Sequence, residues 1–129
     1  MKIYLVDSDV LIDFFKKRQE AVSLIEQLSE VGTCIISVIS VAELRSGWNK
    51  EEASMYLPCL YNIFEVVELS KNVAELAGEY RQKYSKKGTA LPTIDSLIAA
   101  TAIVNEYSLV SRNKKHYPMS ELNLYQEIY

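Results

Sequence analysis

Apolar and polar positions along the chain follow two rhythms. Residues 3–6 (Ile-Tyr-Leu-Val) form a short unbroken apolar run that stops at Asp7-Ser8-Asp9, the profile of a buried strand entering a turn. Val10, Leu11, Phe14 and Phe15 recur at helical spacing, closed by Lys16-Lys17-Arg18, and cations suit a helix C-terminus. Ala21, Leu24, Ile25 and Leu28 mark a second helix stopped near Gly32. Residues 33–39 are β-branched and nearly continuous, as in a strand covered on both faces. The pattern predicts a short helix from Ser40 to about Trp48, a longer one through 50–62, and a third strand over 64–69. Ser70 can cap the next helix, whose stripe is Val73, Leu76, Ala77, Tyr80 and Tyr84, closed by Gly88. Residues 94–106 are apolar nearly all round, so that helix belongs in the core. Residues 108–111 read as a fourth strand and 124–128 as a weak fifth. Short apolar strands alternating with helices imply a three-layer α/β/α fold around a parallel sheet of four to five strands.

Length and composition narrow this picture. A chain of 129 residues with 49% hydrophobic and 24% charged positions is one globular domain, 1–129. Fourteen basic against seventeen acidic side chains leave a net charge of −3, which excludes a general nucleic-acid coater but not a local basic patch. Cys34 and Cys59 stand far apart without a CxxC pair, so neither a local zinc site nor a disulfide framework is expected. His116 is the single histidine, which excludes chemistry needing two imidazoles. No apolar run is long enough to span a membrane, and the opening Met1–Val6 is too short for a secretion signal. The expected compartment is the cytoplasm.

In parallel sheets, ligands bind beyond the strand C-termini. Asp7 ends the first strand, Glu43 follows the second, Asp95 opens the buried helix leading into the fourth, and Asn113 follows the fourth. Carboxylates brought to about 4 Å repel by roughly 4 kcal/mol at an effective dielectric near 20. A hard divalent cation such as Mg2+ or Mn2+ relieves that repulsion. Each acid also has a local role open to it. Asp7 or Asp9 can cap the first helix, and Ser40-Val41-Ala42-Glu43 fits a capping box. Asp95 suits a helix N-terminus, yet its helix carries no lysine or arginine to balance a buried charge.

Four segments resemble the PIN-domain family, and within it the VapC-like toxins. They are Val6-Asp7-Ser8-Asp9-Val10-Leu11-Ile12-Asp13, Ile39-Ser40-Val41-Ala42-Glu43-Leu44-Arg45-Ser46-Gly47, Asp95-Ser96-Leu97-Ile98-Ala99-Ala100-Thr101-Ala102, and Ser111-Arg112-Asn113-Lys114-Lys115-His116-Tyr117. Their order and spacing across the chain carry the resemblance. It implies a Mg2+-dependent endoribonuclease, with Mn2+ able to substitute, acting as the toxin of a toxin–antitoxin pair. Asp7, Glu43 and Asp95 carry over as the catalytic, metal-binding acids. Where many family members place a fourth acid, this chain has Asn113 and His116. Ser8, Ser111 and Asn113 are candidates to orient the acids. Arg112, Lys114, Lys115 and His116 are candidates to contact the RNA backbone, and Tyr117 to stack on a base. A cognate antitoxin and a homodimer are the implied protein partners, with Trp48, Met55, Tyr56 and Leu57 as candidates for the antitoxin groove. Two alternatives remain open at this point. One is an idle RNA- or protein-binding module on the same fold. The other is a haloacid-dehalogenase-like phosphatase using Asp7 and Asp9.

Overall fold

The computed structural model describes residues 2–129. Strands β1 (Lys2–Val6), β2 (Gly32–Ser37), β3 (Glu65–Val67), β4 (Ser108–Val110) and β5 (Asn123–Leu124) form one sheet in the order β3-β2-β1-β4-β5. Every neighbouring pair is parallel. β1 is central, with Leu5 opposite Ile35 on one side and Leu109 on the other. Helices α1 (Ser8–Phe15), α2 (Gln19–Val31), α3 (Val38–Gly47), α4 (Lys50–Ile63), α5 (Lys71–Lys86) and α6 (Thr93–Asn105) fill the connections.

Side chains alternate across the sheet with period two. Tyr4, Val6, Cys34 and Ile36 pack on one face with Leu11, Leu24, Leu28, Leu60 and Phe64. Leu5, Ile35 and Leu109 pack on the other with Tyr80, Ile98, Ala99 and Ala102. The three-layer prediction holds, and the apolar 94–106 segment is the buried α6. β2 begins at Gly32 because the strands crowd there. A Cβ on Gly32 would stand 2.4 Å from the Lys2 carbonyl oxygen and 2.8 Å from the Tyr4 ring.

Several predicted boundaries move. β2 ends at Ser37, two residues early, and Ser37 caps α3 by accepting the Ile39 N–H at 3.1 Å. The Ser40–Glu43 capping box is therefore not formed, and Ser40 lies buried inside the helix. β3 spans three residues rather than six, and β5 two rather than five. Both are edge strands, where only one neighbour supplies a ladder. Asp7, not Asp9, is the N-cap of α1.

The order reverses at β1: the chain builds outward through β2 and β3, then returns to β4 and β5 on the other side. Such a reversal opens a crevice beyond the C-termini of the two strands flanking it. Here those strands are β1 and β4, followed by Asp7 and Ser111. The Asp7 N–H donates to the Val110 carbonyl at 2.9 Å, which holds the two strand ends together.

Candidate active site

Asp7 is the hub. Its carboxylate, 6% exposed, caps α1 by accepting the Ser8 N–H on Oδ1 at 2.8 Å. Oδ2 accepts the Ser111 hydroxyl at 2.8 Å and the Tyr117 hydroxyl at 2.7 Å. Three donors, two of them, Ser111 and Tyr117, from 104 and 110 residues further along the chain, meet one buried anion. Its capping role and its place in the cluster thus coexist, using one oxygen each.

Asp95 stands on the other side of Tyr117. Its Oδ1 lies 3.4 Å from the tyrosine oxygen, and His116 Nδ1 is 3.1 Å from its Oδ2. His116 is the partner that α6 itself could not supply. The N-cap position of α6 is Pro92, without a side-chain cap, so Asp95 is not consumed by the helix end. Burial, and next the charge of Asp7, push the Asp95 carboxyl above the usual range.

Glu43 joins from α3 through Ser8, whose hydroxyl donates to Oε1 at 2.5 Å and lies 3.0 Å from the Ser40 hydroxyl. Because α3 starts at Val38, Glu43 sits in the middle of the helix and is free to face Ser8. The three predicted acids therefore fall on one rim, linked as Glu43–Ser8–Asp7–Tyr117–Asp95–His116.

Asp9 also belongs here. It accepts the Val10 N–H at 2.8 Å and the Arg112 N–H at 2.9 Å. Burial, then the charge of Asp7, raise its pKa from 3.8 to about 6. The Tyr117 hydroxyl is likewise held neutral, first by burial and then by Asp7.

The remaining predicted residues divide. Ser8 and Ser111 touch the acids as expected. Asn113 is exposed and enters through its backbone, its N–H donating to Ser111 Oγ at 3.1 Å. Arg112 spends its guanidinium on Asp13 at 2.9 Å and stacks on the Tyr129 ring. Lys114 Nζ donates to the Gln126 carbonyl at 3.0 Å. Lys115 is exposed beside the rim. Tyr117 is 4% exposed and does not stack on a base; sequence reasoning missed its role. The available signal was a tyrosine in a segment that must bury its ring, because a buried phenol requires a polar partner.

Among the described residues, no three His, Cys, Asp or Glu side chains close into a ready-made cation cage. Hydroxyls separate the acids instead. Mg2+ does not require a protein cage: one or two carboxylates plus waters and substrate oxygens suffice. Two carboxylates facing one hydroxyl, with Asp95 raised in pKa by burial and then by Asp7, are an oxygen-donor pair short of positive charge. That chemistry fits a hard divalent cation.

Beside Glu43 lies a groove of about 520 Å³ between α1, α3 and α4. Phe15, Trp48 and Tyr56 form its aromatic wall, with ring centroids 5.2–5.6 Å apart, and Lys16 and Lys17 stand at its edge. Of the predicted groove residues, Trp48 and Tyr56 line it, Leu57 packs against the core, and Met55 is 60% exposed. No helix among the described residues is long and apolar enough to cross a membrane.

The PIN-domain family model matches residues 4–122. Ribonuclease VapC1 of Methanocaldococcus jannaschii is 33% identical over 113 residues, covering 88% of this chain and 77% of that protein. Ribonuclease VapC10 of Mycobacterium tuberculosis is 34% identical over 117 residues, covering 91% and 87%. The toxin–antitoxin complex VapBC2 from Rickettsia felis, solved bound to a DNA fragment from its promoter, contains a chain that superposes with a TM-score of 0.85 at 27% identity, covering 95% of this chain and 97% of that one. The phosphatase alternative falls with these matches: the chain belongs to the PIN-domain family.

Proposed function

We propose that this chain is a divalent-metal-dependent endoribonuclease and the toxin half of a toxin–antitoxin pair. The observation that carries the reading is the meeting of Asp7 and Asp95 across the Tyr117 hydroxyl, with Glu43 one serine away. The VapC ribonuclease relatives and the VapBC complex support the substrate class and the partner.

Asp7 and Asp95 would hold the cation, with Glu43 beside them, and Mg2+ is the ion best suited to so few protein ligands. When bound, such an ion polarises a phosphoryl oxygen and makes water a better nucleophile. The protein's part is positioning. Ser8 N–H, Ser111 and Tyr117 fix the Asp7 oxygens, and Ser8 fixes Glu43. Preset side chains need no reorganisation as the reaction proceeds. Lys115 and the exposed part of Arg112 offer positive charge next to the acids for a phosphate backbone. The aromatic groove against Glu43 is where we place the antitoxin's inhibitory segment, because occupying it screens one end of the acidic rim.

The test is cleavage of a fluorogenic RNA by protein stripped with chelator. Activity should return with Mg2+ or Mn2+. Asp95→Asn should lose at least about a hundredfold, corresponding to roughly 2.7 kcal/mol of transition-state stabilisation. Wild-type rates from Asp95→Asn would sink the assignment. RNA retention without turnover would instead establish the idle binding module.

A further inference from the structure

Tyr117 occupies an unusual place. Its ring belongs to the core cluster with Leu5, Ile98 and Leu109, while its oxygen lies within reach of both the Asp7 and the Asp95 carboxylates, at 2.7 and 3.4 Å. The backbone sets it there: the short 3-10 turn Lys114–His116 ends with the Tyr117 N–H donating to the Lys114 carbonyl at 3.0 Å. The neighbouring His116 holds the other oxygen of Asp95. One short turn therefore grips both acids at once.

A phenol carries one hydrogen. At 2.7 Å that hydrogen serves Asp7, and at 3.4 Å the same oxygen keeps only a loose contact with Asp95. Two like charges with nothing between them relax apart. With the hydroxyl present, both carboxylates lie against the same oxygen, at 2.7 and 3.4 Å.

We propose that Tyr117 is a positioning residue for the divalent cation, its hydroxyl holding Asp7 and Asp95 at the separation from which a single ion can engage both. This rests on the metal-site reading above. Groups that orient metal-binding carboxylates in this way commonly contribute 10–100-fold in affinity.

The experiment is Mn2+ titration of the cation-free protein, read by electron paramagnetic resonance, for wild type, Tyr117→Phe and Asp95→Asn. Phenylalanine keeps the buried ring and deletes only the oxygen. The expected result is binding at least about tenfold weaker in Tyr117→Phe, with the cation-free melting temperature moved by only a few degrees, roughly the value of one hydrogen bond. Unchanged or tighter Mn2+ binding in Tyr117→Phe overturns the proposal. If that variant does not fold, the wild-type protein still decides. The 13Cζ resonance of Tyr117 should shift as Mg2+ is added, and a resonance indifferent to saturating Mg2+ overturns the proposal as well. Failure of the underlying reading is separate: Asp95→Asn would then bind Mn2+ as wild type does.

Discussion

Asp7→Asn separates activity from stability, and its effect can be worked through bond by bond. The asparagine carbonyl keeps the Ser8 N–H, while its NH2 faces the Ser111 and Tyr117 hydroxyls. Both hydroxyls can rotate to accept, so no donor is left facing a donor. What is lost is the charge assistance of these bonds, about 1–2 kcal/mol in all. What is gained is relief for Asp9 and Asp95, both raised in pKa partly by Asp7. For Asp9 the rise from 3.8 to about 6 corresponds to at most about 3 kcal/mol. Burial is the first cause and solvent screens the rest, so removing Asp7 returns about 1 kcal/mol. The sign of the pH dependence follows. An acid with a raised native pKa binds more protons folded than unfolded between the two values, so wild-type stability falls as pH rises from 3.8 through about 6. Asp7→Asn softens that fall. Without divalent cation, the variant should melt below wild type at pH 5 and close the gap by about 4 °C at pH 7.5, for a chain of 129 residues. Differential scanning fluorimetry at both pH values, beside the RNA-cleavage assay, reads the two effects. A gap that stays constant or widens with pH would refute the proposed repulsion among the acids.

Three further outcomes are expected. Ser8→Ala removes the hydroxyl on Glu43 and should lower the cleavage rate about tenfold with little loss of stability, measured by initial rates and melting. Asp13→Ala strips the acceptor from Arg112 and from the Tyr129 hydroxyl, 2.9 and 2.7 Å away, and should cost about 2 kcal/mol in urea unfolding. A cost below about 0.5 kcal/mol would show that solvent replaces those bonds. Gly32→Ala places a methyl 2.4 Å from the Lys2 carbonyl oxygen and should destabilise by about 2–3 kcal/mol through forced strand separation, visible as a lower urea midpoint.

The layers and the acid positions were legible because they rest on local rules. Unbroken apolar runs make β1, β2 and β4, helical stripes make α1, α2 and α5, and Asp7 and Asp95 stand directly after a strand and at a helix start, with Glu43 on the helix that follows β2. Ser37 was not legible as the cap of α3. Ser37 and Ser40 offer the same hydroxyl three residues apart, and the strand's pairing with β3, ending at Ser37 opposite Val67, decides between them. Tyr117 was not legible because its partner acids lie 110 and 22 residues away. Arg112 read as a phosphate contact because nothing local announces Asp13, 99 residues earlier, as its anchor.

The hub acid and its two hydroxyl donors lie far apart in the order of translation. Asp7 is made early, whereas Ser111 and Tyr117 follow 104 and 110 residues later. A nascent chain on the ribosome therefore carries its first acid with no clasp around it, and the central strand waits for β4 before the crevice exists. Assembled in this order, the acidic rim stays without its clasp until Tyr117 itself has been made.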